Sequence, residues 1–456
     1  MPRPRHHRAA PLALLTASLA LFALGCTSAP SAGPGERTAI LAPGIDYEEA
    51  WRARGSSGEA ARQTEALLAQ ALSVDDAIRV ALLNSPELGA ALQQLELSRA
   101  EAFAQAPTSN PSLGAEVLFD AAGLRKIESA LTFDLGSLLQ LAARREAARG
   151  GADAARSLAG AGLVDFIARV REAYFEHVAD NQRLALDRHI LEAAEAAAST
   201  AELLHDAGNV VALDLFTERA FAAEARSAVL HAQASVAASR GRLHRLLGLE
   251  AAQTHWRVPD QLPEPADALA LPEEFGARAV ARSLRLEQLR REQQVQQARL
   301  GLNRWNTWLP SLELGVASEF EYAPDHWQVG PTMRIGLPIF EQRRFERDAI
   351  GAEAARMGFE YKAELLAVAL AAAEVEEQLQ IAHAHVEHLR RTLLPLHERI
   401  LDEAQRQFNA MEIGIFDLIA IRQAQMRAGR EYIDTLRTYW LAHARLEALL
   451  AGGSAR

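Results

Sequence analysis

The sequence predicts a mainly α-helical protein with a small membrane β component. It is built as a tandem duplication whose halves each read helix, β-hairpin, very long helix, turn, helix. Three observations predict this. GADAAR at residues 151–156 recurs as GAEAAR at 351–356, with Asp153 exchanged for Glu353. From about Leu138 to Leu204 no proline interrupts the chain, and about 65 residues at about 1.5 Å each make on the order of 100 Å of helix. Short stretches of alternating apolar and polar residues separate the helical runs, and a period of two marks strands.

The N-terminus is basic in MPRPRHHRAA, apolar in PLALLTASLALFAL, and reaches Gly25-Cys26. That order reads as a secretory signal over residues 1–25, too short for a spanning helix. Cys26 is the only cysteine, so no intramolecular disulfide is available. Its position resembles the lipobox of bacterial lipoproteins, with Ala23 where leucine is usual, which makes Cys26 the expected lipidation site. Thr27 rather than Asp after the cysteine suggests sorting to the outer membrane. A free cysteine ending an ordinary signal is the alternative. Residues 26–71, opening with TSAPSAGPGERTAILAPG, read as a lipidated tether.

The first repeat spans 72–257. Its opening helix has Ser73 as N-cap with Asp75 and Asp76 in the first turn, and it stops at Pro107. A hairpin follows at about 111–136. Leu113, Ala115, Val117 and Phe119 alternate with Ser112, Gly114, Glu116 and Leu118; Ile127, Ser129, Leu131 and Phe133 alternate with Glu128, Ala130, Thr132 and Asp134. The proline- and acid-rich stretch 258–274 is a linker. The second repeat, 275–450, has its hairpin at about 310–337. Leu312, Leu314, Val316, Ser318 and Phe320 share one strand face, and Glu313, Gly315, Ala317, Glu319 and Glu321 the other. Residues 451–456 are a C-terminal tail. The landmarks keep register: Pro111-Ser112-Leu113 returns as Pro310-Ser311-Leu312, Thr132 and Gly136 as Thr332 and Gly336, and Val210, Asp214, Leu215 and Arg219 as Ile413, Asp417, Leu418 and Arg422. Ordered recurrence of this kind is duplication rather than shared composition.

Four strands with one apolar and one polar face cannot close a membrane barrel, and open edges in lipid are costly. Several copies in a ring are the natural remedy. Net charge −11 without a basic stripe argues against nucleic-acid binding. HExxH, a phosphate-binding glycine loop and a nucleophile elbow are all absent, so neither an enzyme nor a cofactor is expected. GAGLVD at 160–165 imitates a dinucleotide loop but follows no strand.

The duplicated layout, NSPEL in the first helix, PSL opening each first strand, and the AGNVVALDLF and MEIGIFDLI turns resemble the TolC family of outer-membrane efflux channels over roughly residues 72–450. The resemblance implies a homotrimer with one twelve-stranded β-barrel continued by a long α-helical barrel in the periplasm. It implies a passive exit duct of a tripartite efflux or type I secretion system, docking on a periplasmic adaptor protein and an inner-membrane efflux pump. The family includes lipid-anchored members. A lipid-anchored periplasmic coiled-coil scaffold or adaptor is the alternative function.

The resemblance also places sites. Gly208, Asn209 and Val210 in the first turn, and Glu412, Ile413 and Gly414 in the second, become the adaptor-contacting tips. Asp214 and Asp417 become candidates for a periplasmic gate or selectivity ring, against the alternative that each caps its helix. Met411 stands where the first turn has Gly208, which puts the shape of the second tip in question. Glu116, Asp134, Glu313, Glu319 and Glu321 would face the lumen, either preferring cations or simply wetting the wall. His383, His385 and His388 could hold a metal, but solvent-facing histidines are the plainer reading.

Overall fold

The computed structural model describes residues 57–104, 106–120, 123–308, 311–321, 326–340 and 342–455. The signal region 1–25, Cys26 and the first part of the tether lie outside them.

The first described element, α1 (Ser57–Leu68), forms inside the stretch read as tether. Ala60 and Thr64, four residues apart, both face inward and are buried, and Asn84 Nδ2 donates to Thr64 Oγ1 at 2.7 Å. This one-sided i, i+4 pattern drives the helix onto the core. Next, α2 (Val74–Asn84) starts with a reciprocal cap: Asp76 N donates to Ser73 Oγ at 3.1 Å and Ser73 N to Asp76 Oδ2 at 3.4 Å. Pro86 opens α3 (Pro86–Ala104), which leads to the sheet.

The four strands, β1 (Ser112–Asp120), β2 (Gly123–Asp134), β3 (Leu312–Glu321) and β4 (His326–Ile335), form one antiparallel sheet in the order β1-β2-β3-β4. The two hairpins, 200 residues apart in sequence, therefore join through β2 and β3, where Asp134 pairs with Glu313 and Lys126 with Glu321. Gly315 makes that junction close: a Cβ there would lie 2.4 Å from Leu131 O.

From the sheet run two long helical hairpins. The first comprises α4 (Leu135–Leu139), α5 (Leu141–Asp206) and α6 (Ala212–Leu247). With 66 residues, α5 extends about 100 Å at about 1.5 Å per residue. In the second half α7 (Phe275–Arg282) and α8 (Leu284–Trp308) climb to β3, and α9 (Arg344–His388) returns. A π-turn, Leu389–Leu393, joins α9 to α10 (Leu394–Asn409). Pro395, which has no N–H to give, explains the widened turn. Finally α11 (Ile415–Leu450) completes the hairpin.

The main core lies midway along the long helices. It gathers Ile78 and Val80 of α2, Phe166 to Ala179 of α5, Leu243 and Leu247 of α6, Trp256, Val368 to Val386 of α9 and Leu436 to Leu449 of α11. The linker is fastened over it: Trp440 Nε1 donates to Pro263 O at 2.8 Å, His383 Nε2 to Ala266 O at 2.9 Å, and Arg390 reaches Glu264 at 3.1 Å and Asp267 at 2.5 Å. Residues read as a tail are likewise docked. Gly452, at φ 92°, turns the chain so that Gly452 O accepts from Leu284 N at 3.1 Å and Ser454 N donates to Asp165 Oδ1 at 2.8 Å.

Candidate functional site

The sheet is two-faced. Leu113, Val117, Leu314, Val316, Trp327, Val329, Met333 and Ile335 share one face and are all exposed in the single chain. Phe320 and Trp327 pair there with ring centroids 5.0 Å apart. A water-soluble protein rarely leaves so large an apolar surface open. No helix among the described residues is long and apolar enough to cross a membrane.

Register places Glu116, Asp134, Glu313, Glu319 and Glu321 together on the opposite face, with Glu128. Two of them are tied locally. Asp134 caps α4 by accepting from Ser137 N at 3.0 Å, because the strand ends where the helix begins. Glu313 accepts from Arg334 at 2.8 Å across β3 and β4. Lys126, Glu128 and Arg334 belong to the same face and were not among the residues singled out from sequence. The even-numbered phase of KIESALTFD, already visible as Glu128, Ala130, Thr132 and Asp134, carried the signal for Lys126 and Glu128.

At the far end of the long helices the two tips have one backbone design. At the first, Gly208 N donates to His205 O and Asn209 N to Leu204 O, both at 2.8 Å. At the second, Met411 N donates to Phe408 O at 3.0 Å and Glu412 N to Gln407 O at 2.9 Å. Both are Schellman turns with a left-handed residue after the helix. Gly208 takes φ 78° and Met411 takes φ 62°, so methionine does not change the turn. Gly208, Asn209, Glu412 and Gly414 are exposed, whereas Val210 and Ile413 are half-buried. Val210 O accepts from the His205 ring at 2.8 Å.

The two aspartates differ. Asp417 reaches back one turn, and Gly414 N donates to its Oδ2 at 3.0 Å; a carboxylate also suits the positive end of α11. At α6 the matching contact from the Asp214 carboxylate to the Val211 amide is not made, so Asp214 lacks the equivalent role there. One turn along, Glu218 is only 5% exposed and its Oε2 has no partner. Burial first, and the Asp214 charge second, push its carboxyl above the usual range.

The histidines do not converge. His383 donates to the linker, His385 lies 3.4 Å from Glu431, and among the described residues no group of three His, Cys, Asp or Glu side chains could hold a metal ion.

No family model matches the chain. Over 387 residues it is 24% identical to the cobalt-zinc-cadmium resistance protein CzcC of Cupriavidus metallidurans, covering 83% of this chain and 90% of that protein. Among solved structures, CusC superposes with a TM-score of 0.69 at 17% identity, over 83% of this chain and 92% of its own. The Campylobacter jejuni CmeC outer membrane channel gives 0.67 at 14% identity, over 84% and 86%. VceC of Vibrio cholerae, an outer membrane protein, gives 0.64 at 16% identity, over 84% and 97%. At these identities the likeness establishes the fold.

Proposed function

We propose that this chain, which has the fold of the TolC-like outer-membrane channels, is the exit duct of a tripartite efflux or secretion system. One observation carries the reading. The four-stranded sheet is apolar on one face, polar on the other, and open at the edges of β1 and β4. Lipid accepts the apolar face, but unpaired backbone at an edge is costly there, so further copies must complete the ladder. Three copies supply twelve strands around an aqueous lumen, and the long hairpins extend it through the periplasm. Such a duct performs no chemistry. It is a route, and an inner-membrane pump supplies the energy.

Within this reading Cys26 is acylated and anchors the chain to the outer membrane. The tips, at Gly208, Asn209, Val210, Glu412, Ile413 and Gly414, contact the periplasmic adaptor. Asp417 and Asp214 stand in the first turn of the helices that return from the tips, and with three copies converging there their carboxylates disfavour anions. The acidic polar face favours cationic cargo, the class named in the metal-resistance relative.

The first test is the native mass of the protein extracted from outer membranes in mild detergent. A trimer is the expected result. A monomer, or release from the membrane once the lipid is removed, overturns the duct and leaves a lipid-anchored scaffold.

A further inference from the structure

Lys126 is one of two lysines in a chain that otherwise draws its cations from arginine. It stands on the polar face of β2, close to the β1–β2 turn and remote from the helices. Its Nζ lies 2.6 Å from Glu319 Oε1 on β3 and also contacts Glu128 Oε1 on its own strand. Glu128 is directly opposite Glu116 on β1 and directly opposite Glu319 on β3. Three carboxylates thus stand side by side on adjacent strands, about 4.8 Å apart, with Gln328 next in the row on β4. The neighbouring row adds Glu321, opposite Lys126, and His326 beyond it.

A compact ammonium with three donors suits this place. It can sit between two carboxylates of different strands, whereas a guanidinium fork tends to engage one carboxylate with two bonds. Arg334, a second cation on this face, is bound to Glu313. Glu313 is six residues along β3 from Glu319, about 20 Å at about 3.3 Å per residue. Arg334 therefore cannot stand in for Lys126.

The geometry points to Lys126 as a selectivity-determining residue: its ammonium is a tethered counter-cation that masks the carboxylate row at the turn end of the sheet. The inference rests on the channel reading, since only a closed ring of copies puts this face around a lumen. With Lys126 in place, the ammonium contacts two of the row's three carboxylates and offsets one of their three negative charges, so each copy offers mobile ions a net charge of −2 rather than −3. Without it, every copy presents three, and mobile cations take the position the ammonium held.

The test is the reversal potential across planar bilayers under a potassium chloride gradient, for the full-length protein and for Lys126→Gln and Lys126→Arg. Lys126→Gln should raise the cation-to-anion permeability ratio about twofold or more near 10 mM salt, where screening extends about 30 Å. The gain should fade near 1 M, where screening extends about 3 Å. Lys126→Arg should stay close to the parent. All these proteins share the same tips, so a difference among them arises at the sheet. Conducting channels whose reversal potential ignores Lys126→Gln at low salt overturn the assignment and leave the duct standing. No conductance from any of them, the parent included, overturns the duct and the assignment with it. If Lys126→Gln fails to assemble, the double variant Glu128→Gln with Glu319→Gln must shift selectivity toward anions, and an unchanged potential there overturns the assignment as well.

Discussion

Met411 occupies the same left-handed backbone slot as Gly208, at φ 62° against 78°, in the Schellman turn that ends the equivalent helix of the other repeat. An L side chain pays about 1–2 kcal/mol in that region, and Met411 is 93% exposed, so packing within the chain offsets none of it. Met411→Gly should therefore stabilise the second hairpin by about 0.5–1 kcal/mol once the extra freedom of glycine in the unfolded chain is counted. Thermal unfolding followed by circular dichroism should show a higher midpoint. A lower one would mean that Met411 is covered in the assembly.

His177 supplies a pH-dependent contribution. The ring is 1% exposed, Nδ1 lies 3.1 Å from Ser239 Oγ, and burial, aided by the charge of Arg240, pushes its pKa down to about 4. The unfolded chain binds the proton more readily, near the ordinary value of about 6.5. Stability is thus intact above about pH 6.5 and declines as pH falls toward about 4, by up to about 3 kcal/mol. His177→Gln should flatten this part of the profile. Denaturant midpoints at pH 7 and pH 5 check it: an unchanged slope in the variant would assign the acid sensitivity elsewhere.

Gly315 is where the two repeats meet in the sheet. A methyl group there would press on Leu131 O at 2.4 Å and Thr132 Cγ2 at 2.9 Å, and the first of these is backbone that cannot rotate away. Gly315→Ala should cost about 2 kcal/mol or more by prising β3 from β2. The expected readout is a reduced yield of assembled protein from outer membranes, with helical content in detergent unchanged. Normal yield would show that the sheet absorbs the shift.

Asp187 joins the two long hairpins electrostatically. It is buried on α5, accepting from Arg430 on α11 at 2.7 Å and from Arg183 at 3.2 Å. Removing the carboxylate takes the acceptor from Arg430, while Arg183, itself part-exposed, keeps Asp434 Oδ2 at 2.9 Å, so Asp187→Ala should destabilise by about 1–3 kcal/mol. Asp187→Asn, which keeps an acceptor, should lose less. Equal losses would place the effect in shape rather than charge.

The strands, the duplication and the polarity of each sheet face were legible because each is written in local periodicity. Leu314, Val316 and Phe320 alternate with Glu313, Gly315 and Glu319 whatever lies around them. The cap at Ser73 was legible for the same reason, since Asp76 is only three residues away. The helix over Ser57–Leu68 was missed because its inward side uses small residues, Ala60 and Thr64, which become meaningful only against Asn84 and the core. The docked C-terminus was missed because its partners, Asp165 and Leu284, are far away in sequence.

The candidate site divides in the same way. Glu116, Glu128 and Glu319 belong to one face by alternation alone, but that they form one row depends on the register of β2 against β3, a pairing across 200 residues. Asp214 and Asp417 occupy matching positions in the repeat, yet only Asp417 accepts from the amide of the residue that caps its helix, although Val211 and Gly414 have nearly the same backbone. By itself the sequence determined what repeats, where the longest helix runs and which face of each strand is apolar, since short-range periodicity specifies all three; it did not show the breaks at Ser85 and Ser283. The tertiary structure decided which carboxylates are paired, which tip residue bears strain and where the linker is fastened, because those depend on distances between segments remote in the chain.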